Sequence, residues 1–389
     1  MYQRAIEPAV RRYAAIYPAV FITGPRQSGK STLARLLFPD KPYISFEDLD
    51  NRLRAQTDAR GFLRLYEAGA IFDEVQHVPQ LLSYLQGVID ERRHDMGRFI
   101  LTGSQHFVLT EQISQSLAGR VGVVTLLPLT RAELGGTASW ESLAVNGSYP
   151  ALHYYGMTQR EFYASYVHTY VQRDVRQVLN IENLQLFSKF LMLCAGRVGQ
   201  LLNMQSLAID CGISPHTARA WLGVLEASYI IHIVHPYYQN LGKRVTKMPK
   251  LYFCDTGLAT YVLGITSEEQ LAAHYIRGSL FENVVVTEIL KQRLNKGLDP
   301  HLYFWRDQTG REVDVVAEWE GRLVGAEIKA SHTFNPDDLA HLRTFATLVD
   351  AVSLYAIYAG DQGGSYQGIE LVSFADVERL EKVAVHAAY

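Results

Sequence analysis

Residues 19–31, AVFITGPRQSGKS, constrain this 389-residue chain more than any other stretch. Ala19 to Thr23 read as a buried strand, Gly24 to Gly29 as a glycine-bounded loop, and Lys30-Ser31 as the opening of a helix. The spacing G-x-x-x-x-G-K-[ST] is that of a Walker A loop. Gly24 and Gly29 let the backbone turn tightly and bring its N–H groups close to an anion. The helix that follows points its positive dipole end at the same place. Gly24, Pro25, Arg26, Gln27, Ser28, Gly29, Lys30, Ser31 and Thr32 are therefore the expected cradle for a triphosphate tail. Lys30 is expected to reach the outer phosphates and the Ser31 hydroxyl to ligate Mg²⁺. No base-reading motif separates ATP from GTP.

A P-loop needs an acid at the exit of a neighbouring strand. AIFDE (70–74) supplies Asp73 to hold the Mg²⁺ and Glu74 to polarise a water against the γ-phosphate. RFILTGSQ (98–105) offers Thr102, Ser104 or Gln105 at the exit of another strand as a hydrogen-bond partner for phosphate or water. SLAGR (116–120) ends in Arg120, an arginine able to stabilise transferring phosphoryl charge in its own chain or a neighbour's, or simply to sit at the surface.

Around these motifs the first third alternates apolar strands with helical patterns, which predicts a parallel sheet covered on both faces. Residues 3–16 read as an amphipathic helix, and 121–129 as a strand. The middle is mostly helical. It contains a helix at 204–210, a turn through Gly212 to Pro215, a helix at 216–227 and two strand-like runs, which together form a helix-turn-helix with a wing. The last third returns to strands, with helices at 281–293 and 337–345. Expected boundaries are 1–140, 150–265 and 270–389. The formal net charge of −3 excludes a global basic field for nucleic acid, so any such contact needs a local patch. Three scattered cysteines, with no zinc or disulfide spacing, fit a reducing cytoplasm. No run of about 18 apolar residues is present and the first thirteen residues lack a signal-peptide core, so no membrane partner is expected.

GPRQSGKS, IFDEVQHVPQL, ILTGSQ and SLAGRV, in that order, resemble the AAA-superfamily P-loop ATPases of bacteria and archaea that carry a C-terminal domain of unknown function. GSYPAL, YVQRDV, PKLYFCDTGLA and GSLFENVVVTEIL resemble that C-terminal part. The resemblance implies ATPase roles for Lys30, Ser31, Asp73 and Glu74. It also implies ring-like homo-oligomers in which an arginine, here Arg120, completes the next subunit's site.

Three acids converge after residue 280. Glu282 lies at the start of a helix, Asp314 in the strand EVDVV, and Glu327 with Lys329 in the next strand as E-I-K. Residues i and i+2 of a strand share a face, and a turn between the strands lets Asp314 meet Glu327. Glu282, Asp314 and Glu327 can offer oxygens to a second Mg²⁺ or Mn²⁺, with Lys329 orienting a water. Asp314 and Lys329 equally suit a cross-strand ion pair on a solvated face. The order of elements resembles the restriction-endonuclease-like fold.

The helix-turn-helix suits either DNA reading or a lid over an ATPase module. Lys243, Arg244, Lys247 and Lys250 form the one local basic segment, suited to phosphate contact or to a solvated loop. The expected fold class is therefore α/β: a parallel-sheet, AAA-like P-loop NTPase domain, a helical and winged-helix middle domain, and an α+β restriction-endonuclease-like C-terminal domain. The expected function is a Mg²⁺-dependent ATPase acting on DNA or RNA with a nuclease-like C-terminal domain. The alternative is a nucleotide-controlled interaction switch whose C-terminal domain is inert.

Overall fold

The computed structural model describes residues 2–104, 116–171, 184–237, 247–319, 321–333, 335–349 and 352–379. Gln105, Lys243 and Arg244 lie outside these residues.

The N-terminal part runs α1 (Glu7–Ile16), β1 (Ala19–Thr23), α2 (Lys30–Leu37), β2 (Tyr43–Ser45), α3 (Leu49–Thr57), α4 (Ala59–Arg64), β3 (Ala70–Asp73), α5 (Leu81–Glu91), β4 (Phe99–Gly103) and β5 (Val121–Thr125). The five strands form one sheet in the order β2-β3-β4-β1-β5, and every pairing is parallel. The apolar run AVFIT explains the central place of β1, because strand alternation feeds two cores at once. Ala19 and Phe21 enter the core under α3 to α5, and Val20 and Ile22 enter the core under α1 and α2. The helix expected over 3–16 begins at Glu7, with Pro8 in its first turn where a missing N–H costs nothing. The strand expected over 121–129 ends at Thr125.

Helices Trp140–Asn146, Pro150–Tyr155 and Gln159–Tyr166 follow, and then Leu184–Ala195, Met204–Cys211 and Pro215–Ala227. The last two are delimited by local chemistry. The Asn203 side chain accepts from the amides of Gln205 and Ser206, the Ser214 side chain caps the second helix at Thr217, and Gly212 closes the first with φ of 84°. β6 (Ile231–Pro236) and β7 (Lys250–Phe253) then pair antiparallel.

The chain continues through helices Thr256–Val262, Glu268–Ala273 and Arg277–Asn295 to β8 (Tyr303–Arg306), β9 (Glu312–Trp319), β10 (Arg322–Lys329), helix Ala340–Ala346, β11 (Val352–Tyr358), β12 (Gly364–Tyr366) and β13 (Ile369–Ser373). The second sheet has the order β12-β13-β11-β10-β9-β8-β6-β7. It therefore runs across the boundary expected near 265–270, because β6 pairs with β8. One apolar core likewise extends from Leu127 to Val377. Helix Arg277–Asn295 starts before Phe281, so Glu282 sits in its second turn. Among the described residues no helix is long and apolar enough to cross a membrane.

Candidate functional site

The loop after β1 carries the geometry its glycines predict. Gly24 has φ of +142° and Gly29 has φ of +95°. A Cβ on Gly24 would lie 2.1 Å from the Leu126 carbonyl oxygen, so the close approach of backbone to backbone requires glycine there. Gly29 is the N-cap of α2 and offers no side-chain cap, which leaves the first-turn amides of the helix open to an anion. The Ser28 hydroxyl is buried without a hydrogen-bond partner. Lys30 is buried and its ammonium donates to the carbonyls of Gly24 (3.1 Å) and Pro25 (2.8 Å). Thr32 lies exposed in the first turn of α2, while Gln27 turns through φ of 59°.

β3 lies beyond β4 in the sheet, and its last residue reaches the same place. The Ser31 hydroxyl donates to Asp73 Oδ1 at 2.6 Å, the Tyr43 hydroxyl donates to Asp73 Oδ2 at 2.7 Å, and the Thr102 hydroxyl also donates to Asp73. Burial, and then the bond to Asp73, push the Tyr43 phenol well above its ordinary range. Glu74 sits in the left-handed region with φ of 58°, uncommon for a non-glycine residue and a small store of strain. Its amide donates to Thr102 Oγ1 at 3.3 Å, and its carboxylate accepts from the Gln76 side-chain amide. The same Gln76 nitrogen lies 3.2 Å from Ser104 Oγ, and Gln76 Oε1 is buried without a partner. One amide thus ties together the two residues expected to handle water.

Three further side chains brace this site. Arg4 donates to the carbonyls of Ser28 (2.8 Å) and Leu127 (2.7 Å) and pairs with Glu133 at 3.0 Å, which staples the N-terminal segment to the loop. Tyr229, at the end of helix Pro215–Ala227, has φ of 56° and sets its hydroxyl 3.5 Å from Thr23 Oγ1, next to the loop. Arg35 lies over the Tyr43 ring at 5.0 Å.

The sequence missed Gln76, Tyr43, Arg4 and Tyr229. Only Gln76 carried a signal, two residues beyond Glu74 in IFDEVQH. The other three are brought in by the tertiary fold.

Arg120 stands elsewhere. Its carbonyl accepts from the amide of Ala19, at the entry end of β1, whereas the loop leaves from the exit end. Its guanidinium is held by Asp90 through contacts of 2.7 and 2.9 Å. Arg120 therefore does not complete the site of its own chain, since the whole length of the strand separates them.

The fold also gathers the C-terminal acids. Antiparallel pairing of β9 with β10 ends with Val315 opposite Ala326, the residues next to Asp314 and Glu327. Asp314 Oδ2 accepts from the Ile328 amide at 2.8 Å, and Glu327 Oε1 accepts from Lys329. Glu327 Oε2 is buried with no partner. Helix Arg277–Asn295 reaches the cluster because Asn283 pairs with the backbone of Phe253 in β7, accepting at 2.7 Å and donating at 3.0 Å. That clasp sets Glu282 against β7.

Lys250 and Tyr252 share a face of β7, and both turn toward Glu282, at 2.9 and 2.5 Å. The Lys250 ammonium lies 2.5 Å from Glu312 and 3.5 Å from Asp314 as well, and only 2% of its side chain is exposed. Lys250 is thus no surface phosphate contact, in contrast to the reading of the basic segment; the i, i+2 pattern of Lys250 and Tyr252 was the available signal. Burial alone would lower the lysine's pKa, but Glu282, Tyr252, Asp314 and Glu312 hold it well above the ordinary lysine range. Burial and the neighbouring Asp314 push Glu327 up to about 9. Burial also raises Glu282, against the pull of Lys250.

A second Mg²⁺ or Mn²⁺ held by Glu282, Asp314 and Glu327 does not fit this arrangement. An ammonium lies among the oxygens, and among the described residues no group of three or more His, Cys, Asp or Glu side chains has a geometry able to hold a metal ion. The nucleotide site does fit its group. The orphaned Ser28 hydroxyl, the open amides of α2 and the contact of Ser31 with Asp73 suit a phosphate chain with a hydrated Mg²⁺.

Residues 17–135 match a family model described as an AAA domain. Residues 137–269 and 277–377 match two domains of unknown function (DUF8612 and DUF4143). Two uncharacterised proteins, from Mycobacterium bovis and Mycobacterium tuberculosis, are each 32% identical over 362 residues, covering 90% of this chain and 79% of theirs. Among solved structures, the Walker-type ATPase of Pyrococcus abyssi is similar at 17% identity and a TM-score of 0.42, over 68% of this chain and 96% of that one. RuvB of Thermotoga maritima is similar at 17% identity and a TM-score of 0.30, over 59% of this chain and 85% of that one.

Proposed function

From the premise that this chain belongs to the family of the two mycobacterial proteins, whose N-terminal module here is an AAA-type P-loop ATPase domain, we propose that it hydrolyses ATP to switch the arrangement of its own modules. The observation that carries this reading is the meeting of Ser31, Asp73 and the Gln76-held Glu74 at the open end of α2.

The backbone N–H groups of the loop, which Pro25 lacks, bind the phosphate chain, and Lys30 leaves the carbonyls of Gly24 and Pro25 to neutralise the outer phosphates. Ser31 and Asp73 would hold Mg²⁺, which would supply charge screening for the phosphate chain. Tyr43 and Thr102 orient the Asp73 carboxylate that would take the metal. Glu74 orients the attacking water, with Ser104 beside it. Tyr229 touches the strand residue just before the loop and lies in the turn that joins helix Pro215–Ala227 to β6. It offers a direct route from the phosphate site to the second sheet.

The C-terminal strands, with Asp314, Glu327 and Lys329 on adjacent strands, resemble a restriction-endonuclease-like module, and the two helices with the β6–β7 hairpin resemble a winged helix. We read both as gripping and docking elements without nuclease chemistry, because Asp314 and Glu327 are already engaged by Lys250, Ile328 and Lys329. The partner moved by the switch is then a protein or a nucleic acid held without cleavage.

Steady-state turnover tests the proposal. Glu74→Gln is expected to keep ATP affinity within about three-fold and to lower kcat by roughly 10²-fold, the usual worth of a positioned general base. Equal kcat values for wild type and variant would remove Glu74 from the reaction.

A further inference from the structure

The carboxylate cluster of the second sheet carries its own cation. Four acids converge: Glu282, Glu312, Asp314 and Glu327. Among the described residues three basic groups face them, with Lys250 on Glu282, Glu312 and Asp314, Arg306 on Glu312 at 2.6 Å, and Lys329 on Glu327. Of these only Lys250 is central. It touches three carboxylates at once, lies 5.5 Å from the Phe304 ring centroid, and comes from an edge strand laid against helix Arg277–Asn295 by the Asn283 clasp. The acids outnumber the cations by one, and Glu327 Oε2 stays buried and unpartnered. As spaced here, at 2.5 to 3.5 Å around Nζ, these oxygens do not form a metal site; emptied of the ammonium and drawn inward, they have the donor chemistry of a hard divalent cation, which takes carboxylates from several elements at short range. With the ammonium present, a divalent ion would have to displace it or share three carboxylates with it in a region of low dielectric.

We propose that Lys250 is a tethered cation that stands in for a divalent metal ion, so that the cluster excludes metal in the native chain and becomes a Mg²⁺- or Mn²⁺-class site when Lys250 is removed. Its task is to join β7 to helix Arg277–Asn295 and β9 by charge, with no dependence on metal supply. The inference goes beyond the ATPase reading and shares no residue with it.

Mn²⁺ binding to the full-length chain tests it, read by the loss of the free-ion electron paramagnetic resonance signal. All chains carry Asp73→Asn to silence the nucleotide site. The native-Lys250 chain is expected to take up no Mn²⁺ that Asp314→Asn abolishes, and its melting temperature is expected to ignore Mn²⁺. Lys250→Met keeps the stem of the side chain without the charge. It is expected to bind one Mn²⁺, to melt lower than the parent in chelator, and to regain several degrees when Mn²⁺ is added. Adding Asp314→Asn or Glu327→Gln is expected to abolish both responses. Mn²⁺ bound by the native-Lys250 chain and lost with Asp314→Asn would overturn the proposal. So would a folded Lys250→Met chain that binds no more Mn²⁺ than its parent. Failure of both Lys250→Met and Lys250→Ala to fold in millimolar Mn²⁺ would also contradict it, since a free cation should then replace the tethered one.

Discussion

At the scale of single residues, Gly24 and Gln76 carry roles that no other side chain can take over easily. Gly24→Ala forces a Cβ onto the Leu126 carbonyl in a left-handed backbone. It is expected to destabilise the chain by at least about 2 kcal/mol and to abolish measurable ATP binding, checked by thermal melts with and without Mg-ATP. Gln76→Leu removes the amide that ties Glu74 to Ser104 at little change in volume. It is expected to lower kcat roughly ten-fold while KM stays within about two-fold, because the amide acts on positioning and not on phosphate binding. The residues of the loop were legible because spacing and backbone chemistry dictate them. Glu74 was legible as an acid at a strand exit, but its left-handed φ and its amide partner were not, since both depend on where β4 delivers Thr102 and Ser104.

At the scale of elements, the strands around the loop were readable from continuous apolar runs, and the helices expected at 204–210 and 216–227, observed over Met204–Cys211 and Pro215–Ala227, from the turn Gly212 to Pro215 between them. Less readable were ends set by tertiary packing. Helix Arg277–Asn295 buries Asn283, Glu288 and Lys291, so its polar pattern hid both its start and its burial. β6 adds a testable pH response. Burial, with a smaller push from His235, lowers His232 from its ordinary 6.5 to about 4. The folded chain therefore binds fewer protons than the unfolded chain between those values, and stability declines as pH falls from 6.5 toward 4. The slope from this one group is at most about 1.4 kcal/mol per pH unit. His232→Gln is expected to flatten that part of the denaturation profile, measured by urea midpoints from pH 7 to 4.

At the scale of the whole molecule, the middle and C-terminal parts share a sheet and a core. The sequence suggested a break near 265–270 because a mostly helical middle gives way there to a last third rich in strand patterns. It concealed that Lys250 and the β6–β7 hairpin complete the last sheet. A fragment of residues 270–389 is expected to lack a cooperative melting transition, since it loses β6, β7 and the cation of its carboxylate cluster, whereas residues 137–389 are expected to melt cooperatively. Calorimetry on the two fragments checks this. At the other end of the chain, backbone amides, Lys30 and the Ser31–Asp73 pair form the cradle we propose for the nucleotide. The most direct measurement is a calorimetric titration of the chain with a non-hydrolysable ATP analogue and Mg²⁺. The account predicts saturable one-site binding that weakens at least about 100-fold in Lys30→Ala. Equal affinity in the two chains, or no binding to well-folded wild type, would contradict it.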